Sequence, residues 1–193
     1  MSALLIGIVV FTVGWMGTTY VTESTLDRPS YSVTLKKNGY EIRHYNSFLT
    51  VFTQSSGDFD TSLNQGFRQL AGYIFGNNES NETIKMTAPV FHQQTNDNHQ
   101  VAFFISKHRS LNSLPKPSDS SIQFKSIELR QVAVISFRGY ANKQRITRYQ
   151  QTLLSKLQHD GFRYTNTPIY ASYNSPYAFP LLKRHELLIP IRE

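Results

Sequence analysis

The chain has 193 residues, a mass of 22.2 kDa and no sign of more than one domain with a short extension, at about 150 residues per domain. Hydrophobic residues make up 39%, aromatics 13% and charged residues only 17%, so apolar groups suffice for a core and are too frequent for a disordered chain. A formal net charge of +7 favours an anionic partner, and the absence of Cys excludes disulfides, thiolate nucleophiles and Cys-ligated zinc, iron–sulfur clusters or haem.

From Ala3 to Gly17 no residue is charged, and Thr18 to Val21 extend the run to about the 20 helical residues that cross a bilayer. Residues 1–21 therefore read as an N-terminal membrane anchor or signal segment. No Lys or Arg precedes the run, and its end, Gly-Trp-Met-Gly-Thr, is a poor small-residue cleavage site. This favours an anchor over a cleaved signal peptide and a secreted product; a buried N-terminal helix is the third alternative, disfavoured by the lack of any polar face. The expected location is membrane-anchored, with the domain extracytoplasmic (periplasmic). Residues 22–30 form a polar linker with the single apolar residue Leu26 and a helix-discouraging Pro29. The domain proper is residues 31–193. Because residues 1–30 hold only Glu23, Asp27 and Arg28, that domain carries a net charge of +8.

Tyr31 to Leu35 and Tyr40 to Tyr45 are strand-like around Asn38-Gly39, a pair suited to the positive φ angles of a tight hairpin. Phe48 to Thr53 is a third strand. Asp58 or Asp60 then caps a helix whose stripe is Leu63, Phe67, Leu70, Ala71 and Ile74, stopped by Gly76. Strands are expected at Thr83 to His92 and Val101 to Ser106. The second half repeats the order: Ile122 to Leu129, Val132 to Phe137, then a helix capped by Asn142 with Ile146, Tyr149, Leu153, Leu154 and Leu157 inward and Gly161 as its stop, then Ile169 to Tyr173 and Glu186 to Ile191. Strand-strand-helix-strand-strand occurs twice, joined by the Pro-containing Leu111 to Ser121 segment, which points to an internal duplication. The expected fold is α+β, a sheet from each half curling against two helices, with a groove where the halves meet.

No nucleophile elbow, phosphate-cradling glycine loop, His-Glu-x-x-His or EF-hand loop is present, which argues against a familiar enzyme. Asp58 and Asp60 read as helix caps rather than an acid/base pair. His44, His92, His99, His108, His159 and His185 lack the i, i+3 or i, i+4 spacing that builds a metal site on one helix. His44 has the most informative setting, since Tyr40, Ile42 and His44 share one strand face while Glu41, Arg43 and Tyr45 share the other. A neutral imidazole there is a candidate haem ligand against the commoner structural or surface role. Lys143, Arg145 and Arg148, near Arg138, are candidates for phosphate or propionate groups, with a solvated face as the default. Basic residues are otherwise spread out, without the footprint of a nucleic-acid binder. The sequons Asn78-Glu79-Ser80 and Asn81-Glu82-Thr83 matter only in a glycosylating secretory pathway.

At Tyr40-Glu41-Ile42-Arg43-His44-Tyr45, Gly66 to Asn78, Ile84-Lys85-Met86-Thr87-Ala88-Pro89-Val90 and Ala171 to Pro176 the chain closely resembles the SOUL/haem-binding-protein family, over roughly residues 31 to 191. Leu182 to Ile189 is similar to the family's terminal strand. The resemblance implies a distorted β-barrel of two pseudo-symmetric halves, each with a helix, and haem or another tetrapyrrole as the cofactor; with no catalytic motif in the chain the expected role is binding rather than catalysis, hydrolysis by a single activated carboxylate in the groove being the remote alternative. It also implies a hydrophobic groove along the first helix and the loop before the last strand, here Leu63, Phe67, Leu70 and Ile74 with Tyr177, Ala178, Phe179 and Leu181. His44 falls at the position proposed for an axial iron ligand in one branch. Tyr177-Ala178-Phe179-Pro180 is an insertion relative to the family pattern. The implied partners are a tetrapyrrole and, through residues 1–21, a membrane; the alternative is an envelope protein binding a different hydrophobic ligand or partner, with incidental haem affinity. The oligomeric state is open.

Overall fold

The computed structural model describes residues 14–19, 24–95, 98–129, 131–175 and 177–192. The apolar run before Gly14, and with it most of the predicted anchor, lies outside the described residues, among which no helix is long and apolar enough to cross a membrane. At Asn38-Gly39 the chain turns as predicted, with Gly39 at φ 85°, where a side chain would be strained. Strand β1 (Tyr31–Lys37) therefore pairs antiparallel with β2 (Tyr40–Tyr45). There follow β3 (Phe48–Ser55), α1 (Phe59–Ile74), β4 (Val90–Thr95) and β5 (Asn98–Phe104), then β6 (Gln123–Ile127), β7 (Val132–Arg138), α2 (Lys143–His159), β8 (Ile169–Ser172) and β9 (Arg184–Pro190). Both predicted caps form: the Asp58 carboxylate accepts from Thr61 N at 2.8 Å and Asn142 Oδ1 accepts from Arg145 N at 2.9 Å.

The strands make one antiparallel nine-stranded sheet in the order β1-β2-β7-β9-β8-β4-β5-β3-β6, a curled half-barrel with β1 and β6 as its edges. Without β1 the order is a palindrome about the β4–β8 pair, whose register runs from Val90↔Ser172 to Gln93↔Ile169. The units β2-β3-α1-β4-β5 and β6-β7-α2-β8-β9 exchange their first strands, β2 lying beside β7 and β6 beside β3. The predicted duplication is thus present, but the halves share one continuous sheet instead of contributing one each. Pairing β4 to β8 and exchanging the first strands satisfies backbone groups that two separate sheets would leave at edges.

One predicted strand shortens. Thr83 to His92 joins the ladder only at Val90, because Pro89 has no N–H to donate. The preceding residues pair elsewhere: Thr87 bridges Asp27, and Ala88 N donates to the Asp27 carbonyl at 3.0 Å. Asp27 also accepts from Ser106 Oγ at 2.6 Å, so the end of the predicted linker is stitched to the sheet.

Three apolar clusters fill the molecule. Leu70, Tyr73 and Ile74 of α1 pack on Val51, Val101 and Phe103, while Ile146, Leu153 and Leu157 of α2 pack on Tyr40, Ile42, Phe137 and Leu187. The opposite, helix-free face carries Tyr45, Phe48, Phe91, Phe104 and Tyr173. Gly66 sets how closely α1 lies on β5, since a Cβ there would stand 2.6 Å from Val101 Cγ2. Gly66→Ala is therefore expected to destabilise the fold by about 1–3 kcal/mol despite the better helix propensity of Ala. Urea denaturation checks this, and an unchanged or raised midpoint would show that α1 can shift off β5 without loss.

Candidate functional site

The palindromic order brings the first turns of α1 and α2 together over the centre of the sheet, where they bound a cleft of about 530 Å³. Its walls are Phe59 of α1, Lys143, Ile146 and Thr147 of α2, His92 of β4, His99 of β5, Tyr170 of β8 and Leu187 of β9, with Pro168 on the approach to β8. The two N-termini direct backbone N–H groups and partial positive charge toward one region, and Lys143 adds a full charge; the Asp58 carboxylate opposes them on the α1 side. The cleft thus sets the apolar side chains Phe59, Ile146, Pro168 and Leu187 among the amides of Gln94, Gln150 and Asn166, with Lys143 and two helix N-termini on its rim, a lining that suits an amphipathic molecule carrying acidic groups.

Its floor is an aromatic stack. The His92 ring lies 4.9 Å from His99 at an interplanar angle of 19°, and Phe59 meets His92 edge-on at 4.5 Å. His92 Nε2 is 3.2 Å from Ser62 Oγ, which in turn donates to the Phe59 carbonyl. Burial, reinforced by the neighbouring His99, pushes the His92 pKa down to about 4, so the ring is neutral near pH 7. The buried Nδ1 of His99 has no hydrogen-bond partner among the described residues. His185 is tied down beneath, its Nε2 donating to the Gly139 carbonyl at 2.9 Å while Nδ1 accepts from Tyr170 Oη at 2.7 Å. Among the described residues no group of three or more His, Asp or Glu is placed to hold a metal ion.

The residues singled out from sequence fall in three places. Leu70 and Ile74 are buried in the core beneath α1, and Leu63 and Phe67 are half-buried against the same cluster. His44 is exposed on β2, opposite Ser32, on the sheet face that α2 covers with Tyr40 and Ile42. Strands β7, β9, β8 and β4 separate it from the β5 on which α1 rests, so His44 and the α1 stripe do not line a common cavity. Tyr177 and Leu181 are exposed and Phe179 is half-buried, and the contacts of this loop run to Trp15 and Thr19. Of the predicted basic groups Lys143 reaches the cleft, whereas Arg145 donates to the carbonyls of Tyr140 and Arg138 and thereby secures the β7–α2 turn. Asn78 is buried, with its amide bonded to the carbonyls of Tyr73 and Glu82, so the first sequon is closed to modification in the folded chain.

Sequence reasoning missed the His92–His99 pair because it sought helical spacing; the pair arises diagonally across the β4–β5 hairpin, where Gln94 faces His99 and His92 faces Val101. It also missed a buried ion pair on the helix-free face. Arg43 Nη1 and Nη2 donate to the two oxygens of Glu186 at 3.0 and 3.2 Å, and Tyr173 Oη, Ser136 Oγ and Arg184 Nη2 donate to the same carboxylate. The Arg43 guanidinium lies 4.2 Å from the Tyr31 ring centroid. Burial alone would raise the Glu186 carboxyl, but Arg43 and Arg184 hold it below the ordinary range. The signal was a lone carboxylate inside the apolar run His185-Glu186-Leu187-Leu188-Ile189, which demands a partner.

Residues 26–190 match the family described as SOUL heme-binding protein. The chain is 31% identical over 179 residues to heme-binding protein 2 of Mus musculus, covering 84% of each chain, and 34% identical over 149 residues to heme-binding protein 2 of Homo sapiens, covering 71% of each. In fold it is similar to a hydrolase from Listeria innocua, with a TM-score of 0.60, 10% identity, and coverage of 82% of this chain and 94% of that one. At that identity the likeness extends to the fold alone.

Proposed function

The chain belongs to the SOUL heme-binding protein family, and we propose that its domain is a binding module for haem or another tetrapyrrole, with the cleft between the two helix N-termini as the site. One observation carries the choice of site: the cleft combines a volume in the range of small-molecule pockets with aromatic and aliphatic side chains set among polar ones, and with Lys143 at its rim. Phe59, Ile146, Pro168, Tyr170 and Leu187 would bury the face of the macrocycle. Lys143 and the first-turn amides of α2 would hold its propionates. A haem held there would supply a redox-active iron. No iron bond is routed through His44, which stands apart on β2. The same proposal places the domain outside the cytoplasm, held at a membrane by residues 1–21; its support is the uncharged run from Ala3 to Gly17.

Titration of the full chain with haemin, read by Soret absorbance, tests the site. Thr147 is exposed at the cleft mouth, so Thr147→Trp narrows the cleft without touching the core. We expect saturable one-to-one binding that Thr147→Trp weakens by roughly tenfold or more and His44→Ala leaves unchanged in affinity and Soret position. Equal binding by Thr147→Trp would dismiss the cleft, and a Soret shift in His44→Ala would assign iron ligation to His44. Weak, nonsaturating binding in all three proteins would favour a different hydrophobic ligand or partner.

A further inference from the structure

We propose that Trp15 and Met16, together with Tyr177 and Leu181 of the loop before β9, form a surface by which the folded domain rests on the interface of a lipid bilayer. The inference rests on the anchor part of the reading above and adds a second, folded membrane contact to it.

Among the described residues, the exposed large apolar side chains elsewhere are Tyr31, Val33 and Leu35 on the edge strand β1 and the separate Phe75, Met86, Leu111 and Tyr140. At this corner four come together: Trp15 and Met16 are each 37% exposed, Leu181 71% and Tyr177 85%. The corner is built rather than incidental. Residues 14–19 are helical, and the Trp15 indole Nε1 donates to the Tyr177 carbonyl at 2.9 Å. Phe179 N donates to Thr19 Oγ1 at 3.0 Å, and the Phe179 ring meets Trp15 edge-on at 5.2 Å. Ala178 is buried between these contacts. The loop backbone is thereby fixed to the helical segment, while Tyr177 and Leu181 are left pointing outward from it.

The occupant follows from the chain that leads into this corner. The 13 residues before Gly14 carry no charged side chain, and the first charged residue after them is Glu23. If that run enters a bilayer, Trp15 stands where the chain leaves the hydrocarbon, the depth that Trp and Tyr rings favour. Its hydrogen bond to the loop then sets Tyr177 and Leu181 at the same level, and the net charge of +8 on residues 31–193 draws the domain toward anionic headgroups. A water-facing loop would have no such reason to present Tyr and Leu beside the end of an apolar run.

Two features of the sequence make the test direct: Trp15 is the single Trp, and Cys is absent. The full chain carrying Leu181→Cys, labelled there with an environment-sensitive fluorophore, is reconstituted into phosphatidylcholine–phosphatidylglycerol vesicles, with or without brominated phosphatidylcholine. Asn98→Cys, an exposed position where β5 begins, at the opposite end of β4 from its pairing with Ser172, is the labelled control. We expect loss of both Trp15 emission and the position-181 signal in brominated vesicles, with the position-98 signal unchanged. Quenching of Trp15 without quenching at 181 would overturn the loop contact and leave the anchor standing. Quenching at 181 without Trp15 would keep the loop contact and overturn the anchor. Quenching at neither position overturns both, and equal quenching at 98 shows nonspecific adsorption and overturns the oriented surface.

Discussion

Replacing Arg43 by Met is expected to lower the unfolding free energy by about 3–5 kcal/mol, because it strands a carboxylate that has no access to water. Glu186 is fully buried and Arg43 nearly so, and their bidentate contact joins β2 to β9 across β7, locking the curl of the half-barrel. Arg184 also touches Glu186 but is partly exposed and bonds a single oxygen, so it offsets only part of the loss. The sign differs for the pair taken together. Arg43→Met with Glu186→Leu removes both charges and is expected to recover most of the stability, since an apolar pair of similar volume avoids the desolvation of two ions. Denaturant unfolding of the two single variants and the double variant forms the cycle. Near-additive losses, with no recovery in the double variant, would show that Glu186 is satisfied by Tyr173, Ser136 and Arg184 without Arg43.

The local elements were legible because each is specified by neighbours in sequence. Asn38-Gly39 dictates the first hairpin, Asp58 and Asn142 cap the two helices, and the stripes Leu63 to Ile74 and Ile146 to Leu157 select their buried faces. The order of elements also disclosed the duplication. What the sequence could not disclose was which strand pairs with which across the halves: β2 with β7, β3 with β6 and β4 with β8 are contacts between distant segments, and no residue in them announces its partner. The site suffered from the same gap. Leu63, Phe67, Leu70 and Ile74 form an apolar stripe whether it faces a ligand or a sheet, and here β3 and β5 take up most of it. The cleft is instead assembled from one or two residues on each of four strands, the loops before α1 and β8, and one face of α2 (Lys143, Ile146, Thr147, Gln150); the helical face is periodic in sequence, but nothing in it names the strand residues it meets. Glu186 was the exception, a charge in a buried strand that implied a partner without naming Arg43.

The stability of the domain is expected to fall as pH drops from about 6.5 to about 4, and His92 is the principal cause. In the unfolded chain this imidazole takes a proton near its ordinary pKa of about 6.5. In the fold, burial and the stacked His99 lower the pKa to about 4, so across that window the unfolded state binds the proton and the native state does not. Stability from a depressed pKa is complete above the unfolded value and is lost as pH falls through the folded one; the displacement corresponds to at most roughly 3 kcal/mol. The groups around the ring agree with a neutral native form: Ser62 Oγ takes its one hydrogen bond, Phe59 covers its edge, and Lys143 lines the same cleft. His185, whose pKa is also lowered by burial, acts in the same direction, whereas Glu186 and the lowered Asp groups contribute only at more acid pH. Unfolding midpoints measured from pH 7 to pH 5 in the wild type, His92→Gln and His185→Gln separate these contributions. We expect His92→Gln to flatten most of the slope, and an unchanged slope would mean that water reaches the His92 ring. Because protonating His92 would put a charge into the aromatic floor of the cleft, ligand binding there should weaken over the same acid limb, by an amount His92→Gln removes.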